Sequence, residues 1–127
     1  MSETTPTPKR AEATVKSKEE LDQLLQTATG PVLIDFIQPD CGHCVDETPA
    51  FERLRDDCKD SGAVIARVNV EEGFGAELAD KLKVTGTPTS LFAKSAQDFL
   101  GGNVEEVADL DSSKARRAMK CALPSKK

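Results

Sequence analysis

The sequence predicts an α/β domain, a β-sheet flanked by helices on both faces. Three observations predict it. Two nearly continuous apolar runs, Val32-Leu33-Ile34-Asp35-Phe36-Ile37 and Ala63-Val64-Ile65-Ala66-Arg67-Val68-Asn69-Val70, are what strands buried on both faces require. Segments with apolar residues at helical spacing lie between such runs. The resulting order, β-α-β-α-β-α-β-β-α, puts helices on both sides of the sheet. A chain of 127 residues can bury a core without disulfide staples or a metal. Trp and Tyr are absent, so that core rests on Val, Leu, Ile, Ala and five Phe.

In chain order, residues 1–12 are polar and interrupted by proline, which predicts a disordered N-terminal tail. The domain is expected over 13–122, followed by a short tail, 123–127. Ala13-Thr14-Val15-Lys16 predicts a short edge strand. Ser17-Lys18-Glu19-Glu20 reads as a capping box, with Ser17 as cap and Glu20 reaching back. Leu21, Leu24 and Leu25 then recur at helical spacing until Gly30-Pro31 ends the helix. After the first buried strand, Cys44 to Lys59 predicts a helix carrying Val45, Phe51, Leu54 and Cys58, with a kink at Pro49.

Beyond the second buried strand, Glu71 to Leu82 predicts a short helix with Leu78, Ala79 and Leu82 inward. Gly86-Thr87-Pro88-Thr89 breaks the chain before a strand from Ser90 to Ala93 or Lys94. Asp98 to Gly101 is expected as a short strand of a hairpin. Asn103-Val104-Glu105-Glu106 has the pattern of a helix start, with Val104, Val107 and Ala108 inward as far as Leu110. Asp111-Ser112-Ser113 either interrupts that helix or caps a second piece running to about Cys121.

Composition excludes some functions. A net charge of −5, with no dense Lys/Arg run before the C-terminal segment, argues against a nucleic-acid surface. No apolar stretch approaches the length of a membrane span. The first thirteen residues lack the apolar core of a secretory signal, so the expected location is cytoplasmic. In a reducing compartment, four cysteines point to catalysis, metal binding or inert thiols before structural disulfides.

Chemistry concentrates at Cys41-Gly42-His43-Cys44. Two cysteines at i and i+3 of a helix start can face each other across one turn. The first then lies among free backbone N–H groups at the positive end of the helix dipole, which favours a thiolate. A thiolate attacks disulfides, so the pattern suggests a dithiol cycling between reduced and disulfide forms. Asp35 lies just upstream in a buried strand, where a carboxylate is costly unless paired or put to use. It reads either as a satisfied core residue or as part of the site. Arg67 interrupts the next strand in the same way. Neighbouring strands would bring it to Asp35, and otherwise it snorkels to a sheet end. Cys41, His43 and Cys44 are too close in sequence to turn easily to one metal ion, and no second C-x-x-C or His pair completes a tetrahedron. Cys58, about 21 Å further along a straight helix, is expected as a buried small apolar residue, and Cys121 as a bystander thiol, with a regulatory or intermolecular disulfide from either as the alternative.

Taken together these residues resemble the thioredoxin superfamily, with a protein disulfide isomerase-like Cys-Gly-His-Cys motif. The resemblance runs from about Ala13 to Leu110. Five residues separate Asp35 from Cys41, Pro49 lies five residues after Cys44, and Arg67 and Asn69 precede an acidic pair. Gly86-Thr87-Pro88-Thr89 is similar to the family's cis-proline loop, and Gly101-Gly102-Asn103 precedes the segment read as the last helix.

The resemblance implies the thioredoxin fold, a central mixed β-sheet with helices on both faces, and a protein-disulfide reductase needing no cofactor. It implies Cys41 as nucleophile, Cys44 as the buried resolving thiol, and Asp35 beneath it to remove its proton. Gly86, Thr87, Pro88 and Gly101 would border the substrate groove. Gly42, His43, Asp40 and Arg67 would tune the couple. Asp40 stands where members often carry Trp, and a carboxylate beside Cys41 opposes its thiolate. His43, where thioredoxins usually have Pro, favours that thiolate and makes the couple more oxidising, as in disulfide oxidases and isomerases. Implied partners are protein disulfide substrates and a thioredoxin reductase-type electron donor, with the chain a monomer. A binding or scaffold subunit on the same fold is the alternative outside enzymology.

Overall fold

A computed structural model of the chain describes residues 14–59, 61–71 and 73–119. The tails expected at 1–12 and 123–127, and Cys121, lie outside the described residues. The elements are β1 (Thr14–Val15), α1 (Lys18–Thr27), β2 (Val32–Ile37), α2 (Gly42–Asp57) and β3 (Val64–Asn69). They continue as α3 (Gly73–Lys81), β4 (Thr89–Ala93), α4 (Ala96–Leu100), β5 (Glu105–Val107) and α5 (Ser113–Ala118). The strands form one mixed sheet in the order β1-β3-β2-β4-β5. β1, β3 and β2 run parallel, β4 is antiparallel to β2, and β5 is antiparallel to β4.

The apolar runs become the two central strands because both their faces are covered. Val32, Ile34 and Phe36 point to one face, where they pack with Leu21 and Leu25 of α1, Ala79 of α3 and Phe99 of α4. Leu33 and Ile65 point to the other, against Phe51, Leu54 and Cys58 of α2, with Leu110 and Met119. The two-residue side-chain period of a strand therefore puts Asp35, like Leu33, on the face that α2 covers.

Local signals set the boundaries. Ser17 caps α1 by accepting the Glu20 N–H at 3.1 Å, while Glu20 Oε1 accepts from the Lys16 N–H at 2.8 Å rather than from Ser17. α2 starts two residues earlier than the sequence predicts, because Cys41 is itself the cap. The helix runs through Pro49, and Val45 is 64% exposed rather than packed.

The region after β4 differs from expectation. No hairpin strand forms at Asp98 to Gly101. Ser95 caps α4 instead, accepting the Asp98 N–H at 3.1 Å, and buried Phe99 docks the helix on the core. Gly102, with φ +83°, reverses the chain in the left-handed region that glycine adopts freely. The Asn103-to-Glu106 helix start is absent as well. Glu105–Val107 is β5, paired to Ser90, Leu91 and Phe92, so cross-strand bonding overrides the capping pattern there. The last helix is α5, whose cap Ser112 accepts the Ala115 N–H at 3.0 Å.

Candidate active site

The site lies where the C-terminal ends of β2 and β3 meet the start of β4. The chain leaves β2 through Gln38 and turns, with the Cys41 N–H donating to the Gln38 carbonyl at 3.2 Å, into α2. Cys41 and Cys44 are joined as a disulfide with their Cα atoms 5.1 Å apart. Cys41 Sγ also accepts the Cys44 backbone N–H at 3.0 Å, as a capping side chain does. The same N–H and the helix dipole would hold a Cys41 thiolate once the bond opens. Cys41 is partly exposed, while Cys44 is 3% exposed. The two sulfurs are thus divided between an accessible attacking position and a shielded one.

Facing the dithiol across this end of the sheet is the peptide bond Thr87–Pro88, which is cis. Its loop is tied to the dithiol turn by Thr87 Oγ1 donating to Gln38 Oε1 at 2.8 Å. Gln38 Nε2 reaches Glu71 Oε2 at 3.4 Å, so one amide links three loops at the rim. A Cβ added at Gly86 or Gly42 would meet nothing within 4 Å, so open space borders both. Gly101 is not brought to this end. β4 carries the chain away from the dithiol, and Gly101 caps α4 against Gln97 and Asp98. Asp40 and His43 are exposed on either side of Cys41, and among the described residues no ion pair joins them.

Beneath the dithiol, three strands place three polar residues in one row. Asp35 of β2 is in register with Arg67 of β3 and Ser90 of β4. Asp35 is fully buried. Its Oδ2 accepts from Arg67 Nε at 3.0 Å and its Oδ1 from Ser90 Oγ at 2.9 Å. α2 covers the row with Cys44, Glu47, Thr48 and Phe51, residues whose spacing puts them on one helix face. Arg67 Nη1 donates to Thr48 Oγ1 at 2.9 Å and Nη2 to the Cys44 carbonyl at 3.2 Å. Its guanidinium lies 4.7 Å from the centre of the Phe51 ring, and Nη2 is 3.6 Å from Glu47 Oε1. One cation thereby anchors the helix turn that carries Cys44.

Burial pushes the Asp35 carboxyl above the ordinary carboxylate range, against the lowering effects of Glu47, Arg67 and Ser90. Glu47 is pushed up to about 8, first by burial and then by its hydrogen bond with Asp35 and the Asp35 charge. Gln38, Glu47, Thr48 and Ser90 were missed by sequence reasoning. Glu47 and Thr48 carried a usable signal, lying three and four residues after Cys44. Ser90 becomes visible only once the β2–β4 register is known.

The Thioredoxin family model matches residues 12–115, most of the chain. The chain belongs to the Thioredoxin family. It is 36% identical over 93 residues to Protein disulfide isomerase-like 2-1 of Oryza sativa subsp. japonica, covering 69% of this chain and 25% of that protein. To Protein disulfide-isomerase A4 of Mus musculus it is 34% identical over 77 residues, covering 59% of this chain and 12% of that protein. The chain thus spans a quarter or less of the length of these curated relatives. Among solved structures, thioredoxin O1 from Arabidopsis thaliana in the oxidised state matches with a TM-score of 0.60 and 27% identity, over 85% of this chain and 94% of that one. The first thioredoxin domain of mouse Protein disulfide-isomerase A4 matches with a TM-score of 0.63 over 90% of this chain and 80% of that one, and at 21% identity shows the fold alone.

With the family and the Cys41–Cys44 disulfide in place, the centre is that of a thiol–disulfide oxidoreductase. Cys58 departs from its first reading as an inert thiol and follows the alternative, a disulfide. It is buried at the end of α2, as expected, but engaged in a disulfide. Among the described residues no group of three or more His, Cys, Asp or Glu is arranged to hold a metal ion, and no helix is long and apolar enough to cross a membrane.

Proposed function

We propose that the protein reduces disulfides in protein substrates. Cys41 attacks the substrate disulfide and forms a mixed disulfide. Cys44 then displaces the substrate thiolate, and the Cys41–Cys44 bond forms. The cis Thr87–Pro88 loop offers backbone groups to an extended substrate segment, and exposed Val45 adds an apolar contact beside the dithiol. The observation that carries the reading is the contrast between partly exposed Cys41 at the helix cap and 3% exposed Cys44 behind it. It fits a two-step exchange on large substrates. The reading includes a monomer without bound cofactor, in a reducing cytoplasm, fed by a thioredoxin reductase-type donor. The disulfide at Cys58 weighs against a reducing compartment. Thiol labelling of Cys58 in the cell separates the two locations.

His43 and the names of the relatives favour a second reading, disulfide oxidation or isomerisation. Equilibration of the dithiol with glutathione discriminates. A potential near about −270 mV, with turnover of a model disulfide by a thioredoxin reductase, supports the reductase. A value near about −180 mV with poor turnover supports the isomerase. Cys44→Ser should trap mixed-disulfide partners on Cys41. If nothing is trapped and no model disulfide is reduced, the chain is a binding scaffold.

A further inference from the structure

Glu47 is the group that the exchange reaction alone leaves unexplained. It projects from α2 toward the Asp35 carboxyl, yet its Oε1 is buried and accepts no hydrogen bond. Its nearest cationic nitrogen, Arg67 Nη2, is 3.6 Å away, beyond hydrogen-bond reach. The Asp35 oxygens are already taken by Arg67 and Ser90. Two carboxylates within hydrogen-bonding reach of each other, sharing one guanidinium, cannot both ionise cheaply, and a proton between them removes the difficulty. With that proton, Arg67, Asp35 and Glu47 form a neutral set. Among the described residues, the charged groups that act on Glu47 are Asp35 from β2 and Arg67 from β3, Cys44 lies one turn before it on its own helix, and the Ser90 hydroxyl of β4 donates to Asp35.

We propose that Glu47 and Asp35 hold one shared proton and deliver it to Cys44 when the Cys41–Cys44 disulfide opens. An attacking thiolate forms a bond to Cys41 Sγ, the Cys41–Cys44 bond breaks, and Cys44 leaves with the electron pair. The carboxyl pair protonates Cys44 and regains its proton from solvent. In the reverse step the ionised pair takes the proton from Cys44 before it attacks the mixed disulfide. Glu47 is pushed up to about 8 and Asp35 is raised in the same direction, which brings Glu47 close to an ordinary thiol at about 8.5, a match that suits proton exchange in both directions. Glu47 lies one turn from Cys44 on the same helix face, and Arg67, by holding the Cys44 carbonyl, fixes their spacing.

The inference rests on thiol–disulfide exchange at Cys41 but not on its direction. The test is the rate at which dithiothreitol opens the disulfide of the full chain, divided by the dithiothreitol thiolate concentration, as a function of pH. Glu47→Gln should be slower than the parent by about tenfold or more below the pair's titration point, with the two profiles converging above it. Superposed profiles overturn the proposal. An infrared arm needs no redox activity. The parent should show a protonated carboxyl band at neutral pH that bleaches as the pH rises through about 8, and Glu47→Gln should lack it. A band unchanged in Glu47→Gln puts the proton on Asp35 alone and overturns the role of Glu47. Glu47→Met serves in both arms should the Gln variant not fold.

Discussion

Two rows of side chains on the same face of the sheet lie two residues apart along β2. One row is Leu33, with Ile65 and Phe92 in register on either side. The next is Asp35, with Arg67 and Ser90 in the same relative positions. α2 covers both, the first with Phe51, Leu54 and Cys58, the second with Cys44, Glu47 and Thr48. Backbone geometry is the same in both rows, so the difference is chemical. The apolar row stabilises by removing hydrocarbon from water. The polar row removes two carboxyls and a guanidinium from water, which is costly, and recovers the cost through directed bonds that hold Cys44. The packing of helix on sheet thus makes a core at one level and a reactive centre at the next.

The largest expected effect is at the rim of the polar row. Cys41→Ser should abolish turnover of a model disulfide, because the accessible thiolate has no substitute. Retained turnover would mean that shielded Cys44 can attack substrates itself. Next comes the cation. Arg67→Met leaves two buried carboxyls without their partner and releases the Cys44 carbonyl. Loss of one member of a buried charged set costs about 3–5 kcal/mol, which denaturant unfolding at neutral pH should read. A loss below about 1 kcal/mol would place the network in water. The apolar row supplies the contrast. Leu54→Ala should cost about 2–5 kcal/mol, yet leave the glutathione equilibrium of the dithiol where it was. A shifted equilibrium would show that the two rows are coupled.

The rows also differ in how legible they were. Leu33, Ile65, Phe51 and Leu54 announce themselves, since apolar periodicity is the means by which a sequence encodes a core. Asp35 and Arg67 were visible as interruptions of that pattern, and their pairing followed from making the two strands neighbours. Glu47 was overlooked despite its helical spacing from Cys44, because an acidic residue on a helix usually faces solvent. Only the placement of α2 over Asp35 turns it inward. The β4–β5 region was misjudged for a related reason: Asn103 and Glu106 satisfy a local capping pattern, but β4 has an open edge, and bonding to it decides the conformation of Glu105–Val107. Gly101 was placed at the groove by the resemblance, because it precedes the segment read as the last helix; that segment is β5, and Gly101 instead caps α4.

The smallest effect expected is a slope of stability with pH, and its sign is set by the polar row. Glu47 rises from an ordinary 4.5 to about 8 in the folded chain, and Asp35 moves in the same direction. Between those values the folded protein holds a proton that the unfolded chain has released. Stability from this source is complete below about 4.5, falls as the pH rises, and levels off above about 8. Each pH unit across such a window is worth at most about 1.4 kcal/mol per proton. The Glu47 side chain keeps 18% exposure, so water screens the effect and the total should be about that size or less. Urea midpoints of the disulfide-intact protein across the window check it, and Glu47→Gln should flatten the slope. A midpoint that rises with pH would mean that Arg67 outweighs burial and holds both carboxyls ionised. The polar row would then be a fixed salt bridge, with no proton to give to Cys44.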